Sequence, residues 1–190
     1  MESMNKDRLG AFMDAVIAIV MTILVLGLQK PAEPTWKAFW ELRISFAEYA
    51  LSFIWLAAMW MSLHSAWHMV DKISNRTTGL AMGLLFFSSL FPYATSLVGS
   101  FVESGFVQGF YGLIVIATTV MLILIYRSLA KDNPKEETVR YMNRVCHILE
   151  IDVGIKAVGM ILGILFWPPI VSIGILLAAV FTGIARQNKP

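Results

Sequence analysis

Six apolar runs of 16 to 21 residues occupy most of this 190-residue chain: 9–28, 44–63, 78–98, 106–126, 148–166 and 170–185. A helix needs about 20 predominantly apolar residues to cross the hydrocarbon of a bilayer, so runs of this length and number constrain the solvent first. In lipid every backbone polar group must be satisfied within the segment, which leaves helices as the spanning form for such runs. Apolar residues make up 57% of the chain, charged residues 15%, and the mean hydropathy is +0.69, all displaced from soluble domains toward membrane proteins. The expected fold is an all-α membrane protein, one domain over residues 1–190 with six transmembrane helices.

Charge distribution sets the orientation. Six spans place both termini on one side, and that side carries Lys6, Arg8, Lys72, Arg76, Arg127, Lys131, Lys135, Arg140, Arg144, Arg186 and Lys189. Opposite them stand only Lys30, Lys37 and Arg43. Excess positive charge stays cytoplasmic, so both termini are expected inside. The net charge of +2 is modest and sits in loops, which argues topology and not nucleic-acid binding. The single cysteine, Cys146, rules out an intrachain disulfide and a multi-cysteine metal site, and is read as a small apolar filler. The first run is expected to stay as a span, since Gln29-Lys30-Pro31 follows it where a signal peptide would have small residues for cleavage.

Within the first run stands a carboxylate, Asp14, shortly after the basic Arg8. A charge at membrane depth costs several kcal/mol unless paired or hydrated, so it marks either a pathway or a polar network. At 100° per residue Ile19, Ile23 and Leu26 lie within about 60° of one another with Thr22 beside them, while Asp14 points roughly 140° from Ile19. Periodicity alone leaves the apolar stripe open between lipid, core and a more specific surface. The second run offers donors for Asp14: Trp60, His64, Trp67 and His68, with Glu48 and Tyr49 nearer its other end. A hydrogen bond from His64 or Trp60 would offset the burial of Asp14. His64 and His68 have a spacing able to hold a metal, but no motif supplies a third protein ligand, and no metal or cofactor is expected.

Other segments carry structural expectations. Residues 128–147, with Asn133-Pro134 and then Glu136, Glu137, Arg140 and Arg144, read as a solvated cytoplasmic connector containing a short salt-paired helix. Trp36, Phe39 and Trp40 between charges read as an interfacial helix with an aromatic anchor. Trp167-Pro168-Pro169 reads as a tight turn between the last two spans. Gly105 and Gly109, Gly159 and Gly163, and Ala179 and Gly183 form small-xxx-small pairs that permit close helix packing. Glu150, Asp152 and Lys156 read as an interfacial ion pair or a contact between subunits. The chain carries no nucleophile-base motif, phosphate loop or metal triad, so an enzyme is not expected.

Arg8-x-x-x-Phe12-x-Asp14 followed by Ala-Val-Ile-Ala-Ile resembles the Arg-x-x-x-Phe-Ser-Asp signature of the TMEM175 family of potassium channels, in its short prokaryotic form. Two further stretches agree: Phe46-x-x-Tyr49-x-x-Ser52-Phe53 with Trp60-x-x-x-His64, and Leu84-Leu-Phe-x-Ser-x-x-Phe91-Pro92-x-x-Thr95. One position departs, since Met13 stands where the family has serine. The resemblance covers the first hundred residues well and the rest by span count.

This resemblance implies a homotetramer in a prokaryotic inner membrane, with four first helices around a central pore for potassium and other monovalent cations. The family's constriction, an isoleucine five positions after the aspartate, corresponds to Ile19, with Thr22, Ile23 and Leu26 following along the pore. Arg8, Phe12, Asp14, Trp60 and His64 become a supporting network. No Thr-Val-Gly-Tyr-Gly loop is present to build rings of backbone carbonyls. The competing expectation is a proton- or cation-coupled secondary transporter titrating Asp14 and His64, with Glu48 or Lys156 as further groups. Carriers usually show internal repeats, and none relates the two halves here.

Overall fold

The computed structural model describes residues 6–187, with side chains to 185; Lys189 and the Arg186 side chain of the charge count lie outside the described residues. All regular structure among them is helical. Helix α1 (Lys6–Ile23) tightens into a 3₁₀ turn over Leu24–Gly27, and the short α2 (Trp36–Glu41) leads into α3 (Arg43–His68). Then come α4 (Asn75–Ser89), α5 (Phe91–Ser100), α6 (Gly105–Asp132), α7 (Glu136–Leu165) and α8 (Ile170–Gln187). Four stretches are long and apolar enough to cross a membrane: Lys6–Gly27, Arg43–His68, Asn75–Ser100 and Gly105–Asp132. Ile170–Ala185 forms a shorter apolar helix.

Local chemistry sets the helix boundaries. Thr35, Ser74 and Ser104 each cap a helix start by accepting from the backbone N–H three residues on, at 3.3, 3.3 and 3.4 Å. The third span is two helices, because Pro92 has no N–H to donate and its ring disfavours a continuous ladder. The chain closes instead on a tighter bond from Leu90 N to Phe87 O, 3.2 Å. The Trp167-Pro168-Pro169 turn is present, with Ile170 N bonded to Trp167 O at 3.0 Å and Val171 N to Pro168 O at 3.1 Å. Helix α2 presents Trp36, Phe39 and Trp40 outward, Trp36 being 91% exposed, and the Arg43 guanidinium lies 5.7 Å from the Trp40 ring.

The two ends of the bundle differ in charge. At one end Lys6 Nζ donates to the Val70 carbonyl (2.9 Å), and Asn133 receives the N–H groups of Asp71 and Lys72 at 2.8 and 3.0 Å. Lys135 bonds Asp71 at 2.6 Å, and this bond with its charge holds the Asp71 carboxyl below the usual carboxylate range. At the other end Gln29 reaches Ser100 (3.0 Å), and Ser45 donates to the Gly99 carbonyl (2.9 Å).

Residues 128–147 correct the expectation of a solvated connector. Helix α6 continues to Asp132 and α7 begins at Glu136, so only residues 133–135 connect them. Ser128, Leu129, Asn133, Thr138, Met142, Val145 and Cys146 are buried there, although Glu136 and Arg140 do form the expected exposed pair at 2.6 Å. Charged residues on one face concealed a buried face on the other. At 30 residues α7 is about 45 Å long, well beyond the ~30 Å of hydrocarbon.

Small residues matter most at the contact of α7 with α8. A Cβ on Gly159 would lie 3.2 Å from the Gly174 Cα, and one on Gly163 would lie 2.6 Å from Val171 Cγ2 and 3.2 Å from the Pro168 carbonyl oxygen. Gly105 and Gly183 meet nothing within 4 Å, so those pairs are not close-approach points within the subunit. Gly163→Ala is therefore expected to lower stability by about 1–3 kcal/mol through overpacking. Gly183→Ala is expected to leave the melting temperature in detergent unchanged or raise it, because alanine is the better helix former.

A two-faced first helix and a buried ion pair

Helix α1 presents two faces. Leu9, Met13, Ile17, Val20 and Leu24, three or four apart, are buried against α3, α4 and α5. On the outward face lie Arg8, Phe12, Ile19, Thr22, Ile23 and Leu26, with Ile19 56% and Leu26 78% exposed. Thr22 Oγ1 donates to the Ile19 carbonyl at 2.8 Å. That bond commits the hydroxyl proton to its own helix and leaves the oxygen lone pairs available outward. Leu26 stands in the 3₁₀ turn, where Gly27 permits close approach: its Cβ position is 3.1 Å from the Ser96 Cβ on α5.

Asp14 is exposed in the subunit, which corrects the expectation of its burial, and it is held by one of the two donors that the sequence offers. Trp60 Nε1 donates to Asp14 Oδ1 at 2.8 Å, joining α1 to α3. His64 does not take that role; its Nε2 lies 3.0 Å from Nε2 of His68, one turn further along α3. The indole is long enough to span the gap between helices, whereas His64 has a partner on its own helix. Met13 is buried at 1% exposure, so the departure from the family signature is an apolar contact in the subunit core.

A second polar centre lies behind this face. Asp152 and Lys156, one turn apart on α7, form an ion pair with each residue only 2% exposed. Lys156 Nζ also donates to Thr119 Oγ1 on α6 (3.0 Å) and lies 4.9 Å from the Trp55 ring centroid on α3. Asp152 Oδ1 accepts from Thr182 Oγ1 on α8 at 3.1 Å. Four helices thus share one buried pair, which corrects its reading as an interfacial or intersubunit contact. Glu150 is separate, paired with Arg127 on the surface at 2.7 Å. The sequence signal was an Asp and a Lys four apart in an apolar run; what it lacked was the hydroxyls of Thr119 and Thr182. A cavity of about 620 Å³ among α3, α6, α7 and α8 borders this pair.

A third group of polar side chains lies toward the other end. Ser52 on α3 bonds Thr95 on α5 (2.7 Å) and Tyr111 on α6 (2.9 Å). Ser172 on α8 donates to Gln108 on α6 at 3.1 Å. Glu48 is buried within reach of Ser172, with Oε2 unpartnered among the described residues. No group of three or more metal-ligating side chains occurs among the described residues.

Removing one member of a buried ion pair leaves an uncompensated charge and costs about 3–5 kcal/mol. Lys156→Met is therefore expected to lower the melting temperature sharply, and Asp152→Asn combined with Lys156→Met to recover most of the loss. Thermal unfolding in detergent, followed by size-exclusion profile, checks both.

Residues 8–92 match the family model described as endosomal/lysosomal potassium channel TMEM175. A potassium channel of Chryseobacterium sp. (strain P1-3) is 31% identical over 157 residues, 78% of this chain and 82% of that protein. One of Streptomyces collinus (strain DSM 40733 / Tue 365) is 27% identical over 105 residues, 53% of this chain and 51% of that one. The fold is similar to the crystal structure of a lysosomal potassium-selective channel TMEM175 homolog from Chamaesiphon minutus. The TM-score is 0.83 at 20% sequence identity, over 97% of this chain and 98% of that one. With the signature residues of α1 and the length of the match to the Chryseobacterium protein, the chain belongs to the TMEM175 family, a family of ion channels and not of enzymes.

Proposed function

We propose that this protein is a potassium-permeable channel in which four copies of α1 line a central pore, Ile19 and Leu26 forming its hydrophobic constrictions. The observation that carries the proposal is the outward stripe of Ile19, Thr22, Ile23 and Leu26 on a helix whose opposite stripe is buried in its own subunit. A large apolar stripe left uncovered within one subunit calls for lipid or another protein surface. Thr22 lies within that stripe, and its hydroxyl oxygen is the polar side-chain atom that Ile19, Ile23 and Leu26 lack and that a cation can meet there. The potassium-channel names of the relatives support the same reading.

Six membrane crossings per subunit accompany it, with α7 and α8 as the fifth and sixth. The basic end, with Lys6, Lys72, Lys131 and Lys135, is cytoplasmic, and both termini lie there in a prokaryotic inner membrane. No cofactor takes part. Asp14, Trp60 and Arg8 support the inner end of the pore helix. A coupled carrier would need Asp14 and His64 to exchange a proton, and each is bonded to a different partner.

The mechanism differs from that of a carbonyl filter. An isoleucine ring excludes water when narrow and so blocks ions by dewetting; widened, it passes partly hydrated cations. The preferred ion is the one that gives up water more readily, potassium over sodium, with Thr22 oxygens replacing some of the lost hydration. Selectivity is accordingly modest.

Purified protein in liposomes is expected to pass potassium down its gradient, with flux independent of an imposed proton gradient. Ile19→Asn is expected to wet the constriction and raise cation conductance in bilayer recordings. An unchanged current in that variant would contradict the assignment of Ile19, and flux that requires the proton gradient would contradict the channel.

A further inference from the structure

We propose that His64 and His68 form a chelating site for a divalent transition-metal ion of the nickel or copper class, at the basic end of α3. Both side chains are exposed in the subunit, and they occupy the last two turns of the helix. Their Nε2 atoms are 3.0 Å apart and their rings stand nearly perpendicular, at 79° with centroids 4.6 Å apart. The present contact is a single hydrogen bond, which requires one ring to carry its proton on Nε2 and the other to present a lone pair. A metal between them takes both Nε2 lone pairs, the ring that carried its proton on Nε2 shifting it to its own Nδ1 by exchange with water so that both rings stay neutral.

The spacing suits a right-angled pair of ligands. For metal–nitrogen bonds of about 2.0–2.1 Å, two nitrogens 3.0 Å apart subtend about 94° at the metal. That is close to the right angle between neighbouring ligands in square-planar, tetragonal and octahedral complexes, the geometries of copper(II) and nickel(II). A tetrahedral ion such as zinc would need the nitrogens about 0.3–0.4 Å further apart at the same bond length. Helical i,i+4 placement fixes the pair on one face, so little ordering remains to be done on binding. Water fills the other coordination positions, since no third metal-ligating side chain joins the pair among the described residues. The Trp60 ring lies 5.3 Å from His64, and Trp60 is the residue that holds Asp14. The site therefore adjoins the bond that ties α1 to α3 without consuming it.

The test reads binding rather than conduction, so it stands apart from the channel proposal. Untagged protein, stripped with a chelator and kept in detergent, is titrated with nickel(II) by calorimetry, with magnesium as the control ion. One nickel per subunit is expected, with no magnesium binding, and roughly a tenfold or greater loss of affinity in His68→Ala and in His64→Ala. His147→Ala, which alters the remaining histidine on α7, is expected to bind as the unmodified protein does. Copper(II) electron paramagnetic resonance of the unmodified protein is expected to show two equatorial imidazole nitrogens, falling to one in His68→Ala, a comparison available even where His64→Ala fails to fold. Absence of saturable nickel binding overturns the proposal, as does nickel affinity unchanged in His68→Ala or a copper spectrum of the unmodified protein with one imidazole or none.

Discussion

The hydrogen bond from Trp60 to Asp14 ties α1 to α3, and it agrees with the rotation that the buried stripe gives the helix. A carboxylate within an apolar helix has to meet a donor, and the 2.8 Å indole contact supplies one from a neighbouring helix. With that side of α1 committed to α3, the stripe Leu9, Met13, Ile17, Val20 and Leu24 turns into the subunit core. Ile19, Thr22, Ile23 and Leu26 are then left outside it. The buried stripe and the Asp14 bond hold the helix together in one rotation; the apolar residues left outward are the ones proposed to meet ions.

The remainder of the subunit is a rigid support held by polar contacts that cross between helices. Ser52 links α3 to both α5 and α6, Tyr126 on α6 bonds the Ser62 hydroxyl and backbone on α3, and the Asp152–Lys156 pair draws in Thr119 and Thr182. In lipid the hydrophobic effect does little to hold apolar helices to one another, so such contacts and close glycine approaches carry more of the load. Gly159 against Gly174 and Gly163 against Val171 do this at α7 and α8. The outward stripe of α1 can then remain apolar apart from Thr22, because it is not required to hold the subunit together.

Much of this architecture was legible in the sequence wherever one residue type has one physical use. Run length marked the helices, Pro92 and Pro168-Pro169 the breaks, and the wheel of α1 separated Asp14 from Ile19. Periodicity did not decide whether that stripe met lipid, core or ions; only the resemblance of the signature to a channel family favours ions. What stayed hidden depended on partners remote in the chain. Gly174, four residues before Ala178, meets Gly159 on another helix, a partner that no spacing along the chain reveals. Asp152 and Lys156 looked interfacial because Thr119 and Thr182 stand more than 25 residues away. The 128–147 segment looked solvated because its charges mask the buried Met142, Val145 and Cys146.

The outward stripe of α1 is proposed to face the ion pathway, and accessibility of that stripe during conduction tests this most directly. In a Cys146→Ser background, single cysteines placed in turn along residues 16–26 can be treated during potassium current recording with a charged, membrane-impermeant thiol reagent. The account predicts that current changes on modification of Ile19→Cys, Thr22→Cys and Leu26→Cys, and is insensitive at Ile17→Cys and Val20→Cys. Sensitivity that follows the buried positions, or that shows no helical period at all, would contradict it.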